Sequence, residues 1–126
     1  MCIEYPREVE VRQIRKDRRI RVNIETKLVV SDTTDLFIVD LVDISRGGCR
    51  VSINQRRVPM MKGTNASLTF SLPNEAFISE LQAVVVRISR IKDSVATEIG
   101  LKFTGPKSEL SKIENFCEFC MFFDLE

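Results

Sequence analysis

The sequence predicts an all-β fold, an antiparallel sandwich or small barrel of about six strands, followed by one C-terminal helix. Three observations point there. Short stretches of alternating apolar and polar residues recur from Val22 to Phe103, separated by turn residues. No helical period interrupts them, which excludes the crossover helices that a parallel sheet requires. After Gly105-Pro106 the apolar spacing changes to i, i+3, i+4. The chain has 126 residues, 44% of them hydrophobic and 29% charged, the size and balance of one folded domain.

Residues 1–14 show no period and read as a flexible N-terminal arm. Residues 15–126 read as a single domain. Lys16–Arg19 is short and polar, a loop. The first strand carries Val22, Ile24, Thr26, Leu28 and Val30 on one face, with Asn23, Glu25 and Lys27 opposite. Ser31–Asp35 is a polar turn. Leu36–Val42 is apolar on both parities apart from Asp40, the pattern of a buried central strand. Cys49, Val51 and Ile53 alternate with Arg50, Ser52 and Asn54, and a loop containing Pro59 follows. Ala66, Leu68, Phe70 and Leu72 alternate with Ser67, Thr69 and Ser71, and Pro73-Asn74 ends that strand. Leu81–Ile91 is a long Val/Ile-rich strand, turned by Lys92–Ser94. Val95, Thr97, Ile99, Leu101 and Phe103 form the last strand, where Gly100 leaves room for a close neighbour. A helix over about 107–123 places Leu110, Ile113, Phe116, Cys117, Cys120 and Phe123 on one side, with Ser111 and Glu114 in capping-box relation.

The net charge is only +1, yet it is unevenly spread. Between Arg7 and Arg21 seven basic residues face three acidic ones, leaving the rest of the chain at −3. A local excess of that kind suits an anionic partner held at one place. The sequence has no histidine, so the commonest general base and metal ligand is missing, and an enzyme is not expected. No apolar run reaches membrane-spanning length, and the N-terminus lacks a signal-peptide core, so the expected location is cytoplasmic. Four cysteines in such a chain read as thiols. Cys117-Glu118-Phe119-Cys120 has C-x-x-C spacing, but it falls late in an apolar helix, and zinc would need two more ligands where only Cys2 and Cys49 remain; no metal site is expected.

The stretch Val39–Val51, V-D-L-V-D-I-S-R-G-G-C-R-V, reads as a strand, a Gly-Gly turn and the next strand. Asp43 and Ser45 share a face if the strand persists. Gly47 and Gly48 mark a backbone that turns sharply or comes close to something. Read alone, Asp43 and Ser45 also suit a local side-chain turn, the two glycines a hairpin at positive φ, and the arginines a solvated loop.

Arg15-Lys16-Asp17-Arg18-Arg19 forms R-x-x-x-R just before the first strand, and Asp43-Ile44-Ser45-Arg46-Gly47-Gly48 forms D-x-S-x-x-G between the second and third. In this order, with Glu98–Phe103 leading into the helix, the chain resembles the PilZ domain family over roughly Arg15 to Phe123. The resemblance implies a six-stranded antiparallel β-barrel with a C-terminal helix that binds cyclic di-GMP in bacteria, without catalysis. It implies Arg15 and Arg19 as the forks that grip guanine O6 and N7 or phosphate. It implies Asp43 as acceptor for guanine N1–H and N2–H, Ser45 as hydroxyl donor, and Gly48 as the small residue beside the ligand. Arg18, Arg21 and Arg46 are candidate auxiliary contacts that the motif itself does not identify, and Arg21 competes with Arg19 as the second motif arginine. Ligand-dependent closure of the arginine loop would signal to a motility, biofilm or secretion partner. The alternative is a PilZ-like protein–protein adaptor that does not bind nucleotide. A nucleic-acid partner is not expected, because the phenylalanines occupy core-like positions and stacking aromatics are few.

Overall fold

A computed structural model describes residues 19–124, with side chains as far as residue 120. Six strands, β1 (Ile20–Val30), β2 (Leu36–Ile44), β3 (Gly48–Ile53), β4 (Asn65–Ser71), β5 (Phe77–Arg90) and β6 (Thr97–Gly105), precede helix α1 (Lys107–Asp124). They form a closed antiparallel barrel in the order β1-β2-β3-β6-β5-β4, with β4 returning to β1 through Lys27–Val30 against Ala66–Thr69. Closure pairs the strand edges that an open sheet would leave available.

The alternation read from the sequence decides which face points inward. Thr26, Leu28 and Val30 of β1 are buried, as are Ala66, Leu68 and Phe70 of β4, and Thr97, Ile99, Leu101 and Phe103 of β6. Leu41, Val51, Leu81 and Val85 complete the centre. The barrel is a single layer, and among the described residues its outward-facing strand positions are mostly exposed or half-buried.

That geometry corrects several expectations. β2 is not buried on both faces: Leu36 and Ile38 are 55% and 56% exposed, while Val39 and Leu41 fill the interior. β5 begins at Phe77, four residues earlier than expected. There Ser79 and Glu80 are both exposed, Glu80 sits at φ 52°, and the pairing with β4 slips between Leu68 and Phe70. This bulge breaks the two-residue period from which the strand was read. β6 begins at Thr97 because Val95 belongs to the β5–β6 turn, which Ile91 N–H closes on the Ala96 carbonyl at 3.3 Å.

Helix α1 buries Ile113, Phe116 and Cys117 and lies against β5 and β6. Its start is held by side chains reaching the beginning of β5. Ser79 N–H donates to Glu109 Oε1 at 2.9 Å, and Lys112 Nζ donates to the Phe77 carbonyl at 3.0 Å. The Ser79 N–H bond, followed by Lys112, holds the Glu109 carboxyl below its ordinary range. Ser111 and Glu114 do not form a capping box. Ser111 lies inside the helix, where its hydroxyl donates to the Lys107 carbonyl at 3.1 Å, and Glu114 is engaged elsewhere. Among the described residues no helix is long and apolar enough to cross a membrane.

Candidate functional site

The turn that joins β2 to β3 is where the predicted residues gather. β2 ends at Ile44, so the strand does not persist to Ser45. Ser45 instead closes the turn on itself: its N–H and hydroxyl both donate to the Gly48 carbonyl, at 2.8 and 3.2 Å. The turn is then stitched to β6 by Phe103 N–H donating to the Gly47 carbonyl at 2.9 Å. Neither glycine takes a positive φ. A Cβ on Gly48 would stand 2.3 Å from the Leu101 carbonyl oxygen, whereas one on Gly47 would meet nothing within 4 Å. Gly48 is therefore required by the approach of β3 to β6, a reason internal to the barrel.

The register places a row of side chains across the outside of the barrel. Pairing slips between Leu41 and Asp43, which sets Asp43 opposite both Arg21 of β1 and Arg50 of β3. Arg50 lies between Cys49 and Val51, which are buried, so it points outward and its cross-strand partner Asp43 shares that face. Arg50 is also opposite Gly100 of β6, and Gly100 is opposite Arg87 of β5. The row Arg21–Asp43–Arg50–Gly100–Arg87 thus runs over five strands, about 19 Å at ~4.8 Å per strand.

Asp43 is the centre of that row. Its Oδ1 accepts from Arg19 Nη1 at 2.8 Å and its Oδ2 pairs with Arg50 Nη2 at 2.6 Å. The two guanidiniums cover the carboxylate so well that only 4% of the side chain is exposed, against 58% for Arg19 and 42% for Arg50. Arg50 Nη1 also lies 3.4 Å from Glu98 Oε1, while its Nε is buried with no hydrogen bond among the described residues. Arg19, Arg50, Arg87 and Gly100 line a depression of about 120 Å³ whose floor includes Cys49 and Leu101. A side chain at position 100 would fill part of it, since a Cβ there comes within 3.4 Å of Arg87 Cβ. Burial, reinforced by the Asp43 charge, pushes the Cys49 thiol far up, so it stays protonated and inert.

Chemically, the row has the charge to attract an anion. Arg19, Arg21, Arg50 and Arg87 set four guanidiniums against the carboxylates of Asp43 and Glu98, a local excess of two positive charges. No three His, Cys, Asp or Glu side chains gather as a metal site among the described residues.

The structure thus brings Arg19, Asp43, Ser45 and Gly48 to one end of β2–β3, with Arg21 exposed beside Asp43. Arg15 and Arg18 lie outside the described residues. Arg46 turns toward the helix and pairs with Glu114. Sequence reading missed Arg50 and Arg87. Their outward parity was visible for Arg50, but the partners opposite them depend on register slips that no local pattern announces.

Comparison with known proteins agrees with this architecture. The family model described as PilZ domain matches residues 13–119. No curated protein matches the sequence. Among solved structures, the chain resembles the Bacillus subtilis inhibitor of motility MotI/DgrA, with 19% identity, a TM-score of 0.68, and coverage of 82% of this chain and 49% of that one. It resembles K. pneumonia MrkH in its c-di-GMP complex at 18% identity and TM-score 0.69, covering 86% and 53%. It also resembles the PilZ domain with c-di-GMP of YcgR from Escherichia coli at 12% identity and TM-score 0.60, covering 79% and 87%. The chain spans about half the length of MotI/DgrA and MrkH. Because the family model runs through every strand and into the helix, the chain belongs to the PilZ domain family.

Proposed function

We propose that this chain is a receptor for cyclic di-GMP that signals by binding alone. The observation that carries the reading is Asp43, a covered carboxylate held between Arg19 and Arg50 on the outer face of the barrel. Cyclic di-GMP has two phosphodiester charges, which the local excess of two guanidiniums matches. The c-di-GMP complexes of MrkH and the YcgR PilZ domain, both on this fold, support the same ligand.

The depression between Arg50 and Arg87 admits a base edge or a phosphate but not a whole cyclic dinucleotide. The ligand therefore lies along the row, with one part seated beside Gly100. Arg19, more exposed than Asp43 or Arg50, swings from Asp43 to the ligand and grips a phosphate or guanine O6 and N7. That movement frees Asp43 Oδ1 to accept guanine N1–H and N2–H. Arg15 supplies the second fork of the R-x-x-x-R pair, and the segment before β1 closes over the bound nucleotide. Gly48 and Ser45 hold the turn in shape so that Asp43 and Arg50 stay opposite one another.

Titration calorimetry with cyclic di-GMP tests the reading. Arg19→Ala leaves Asp43 paired with Arg50, so the barrel is retained while one charge-assisted contact is lost. Affinity should fall by about 1.5–3 kcal/mol, roughly tenfold to a hundredfold. Protection of the segment before β1 against hydrogen exchange should rise at saturating ligand. An absence of binding heat for the wild type would sink the receptor and leave a protein–protein adaptor built on the same barrel. Binding that ignores Arg19→Ala would move the site elsewhere.

A further inference from the structure

A separate group of arginines lies at the other end of β3. The loop that leaves Ile53 carries Arg56 and Arg57, and β5 ends at Arg90. Register brings them together, because Ile53 and Arg90 both lie opposite Thr97, the first residue of β6. The three arginines line a depression of about 300 Å³, with Met60 and Ile88 among its apolar lining. β3 has six residues, so this depression and the Asp43 turn are separated by roughly 17 Å of strand.

Two features set it apart from a solvated run of charge. First, the loop is anchored where the arginines leave it. The buried Thr97 hydroxyl lies 2.6 Å from the Gln55 carbonyl, to which it donates, and 3.3 Å from that of Arg56; Met60 then returns into the core. Second, none of Arg56, Arg57 and Arg90 has a carboxylate within ion-pair distance among the described residues, although Arg19, Arg46 and Arg50 all do. Three like charges beside one depression repel one another until an anion arrives. A guanidinium presents paired N–H groups that match a phosphate, and several converging forks favour a dianion over chloride.

We infer that this depression binds a phosphate group borne on a compact organic molecule, with the apolar part of that molecule lying on Met60 and Ile88. Phosphate here has two sources, a soluble phosphorylated metabolite or the headgroup of an anionic lipid. The inference does not rest on cyclic di-GMP binding and concerns different residues.

Pyrophosphate serves as the soluble probe, titrated at constant ionic strength against a chloride control and followed by amide chemical shifts. The expected result is a saturable shift at Arg57, Ile88, Arg90 and Thr97. It should weaken about tenfold or more in Arg57→Gln/Arg90→Gln and persist in Arg19→Ala. The double substitution changes exposed side chains and should leave calorimetry with cyclic di-GMP unchanged. Co-sedimentation with phosphatidylglycerol vesicles, against phosphatidylcholine vesicles, forms the second arm. Vesicle binding that depends on Arg57 and Arg90, without a pyrophosphate response, assigns the site to a lipid headgroup. Shifts confined to Arg19, Arg50 and Arg87, or no response in either arm, overturn the inference.

Discussion

Replacing Gly48 by alanine separates two reasons for a glycine at the turn. If Gly48 serves only the ligand, the substitution leaves the free protein as stable as before. The geometry says otherwise. The added methyl carbon would start 2.3 Å from the Leu101 carbonyl oxygen and 3.5 Å from Lys102 Cα, both main-chain atoms of β6. Carbon–oxygen contacts between strands ordinarily settle at about 3.3–3.6 Å, so one strand must retreat by about 1 Å. β6 is held on its far side by β5, and the turn is fastened to it through Phe103 N–H. Overpacking of this kind costs about 1–3 kcal/mol. Gly47→Ala is the matched control, since a methyl there meets nothing within 4 Å and φ is not positive. Restricting the unfolded chain should make it neutral or stabilising by up to about 1 kcal/mol. Gly100→Ala, at 3.4 Å from Arg87 Cβ, is an ordinary contact and should melt close to wild type. For a domain of this size 1 kcal/mol shifts Tm by roughly 3–5 °C. Gly48→Ala should therefore melt at least about 3 °C below Gly47→Ala by circular dichroism. Indistinguishable melting of the two would refute the strand-approach argument.

Two further outcomes follow from the titrating groups. Glu109 has its carboxyl lowered in the folded protein, first by Ser79 N–H and then by Lys112, so its contribution is present above the unfolded carboxyl range and fades as pH falls through the folded one. Glu109→Gln should consequently lower the urea midpoint at pH 7 more than at pH 3; an equal loss at both would remove the ionic contribution. Burial, with smaller help from Cys120, pushes the Cys117 thiol up to about 11, and burial pushes Cys49 further still. Both should resist iodoacetamide at pH 8 until denaturant is added, and rapid labelling of either in the native protein would contradict their packing.

Much of the barrel was legible because alternation and burial coincide wherever a strand is regular. β1, β4 and β6 show it, and the i, i+3, i+4 spacing of Ile113, Phe116 and Cys117 likewise marked the buried side of the helix. The start of β5 was not legible, since the Glu80 bulge sets two consecutive side chains outward. Leu36 and Ile38 misled for a different reason: apolar composition on both parities describes the strand and not what covers it. At the site, residue order along the chain was enough to bring Arg19, Asp43 and Gly48 to notice. Arg50 and Arg87 needed the register, and register depends on slips at Leu41/Asp43 and Val85/Arg87 that involve two strands at once.

The pairing of Arg46 with Glu114 joins residues 68 positions apart, one in the β2–β3 turn and one on the helix. A guanidinium drawn onto a nucleotide phosphate would leave that glutamate uncompensated, and a basic partner drawn to the glutamate would leave the arginine available. Each visitor therefore removes an obstacle to the other, and thermodynamic linkage makes the benefit equal in both directions. Both side chains are partly in water, which caps the benefit at about 1 kcal/mol, roughly a fivefold mutual gain in affinity. Helix and turn would then converse quietly, grading a response rather than switching it.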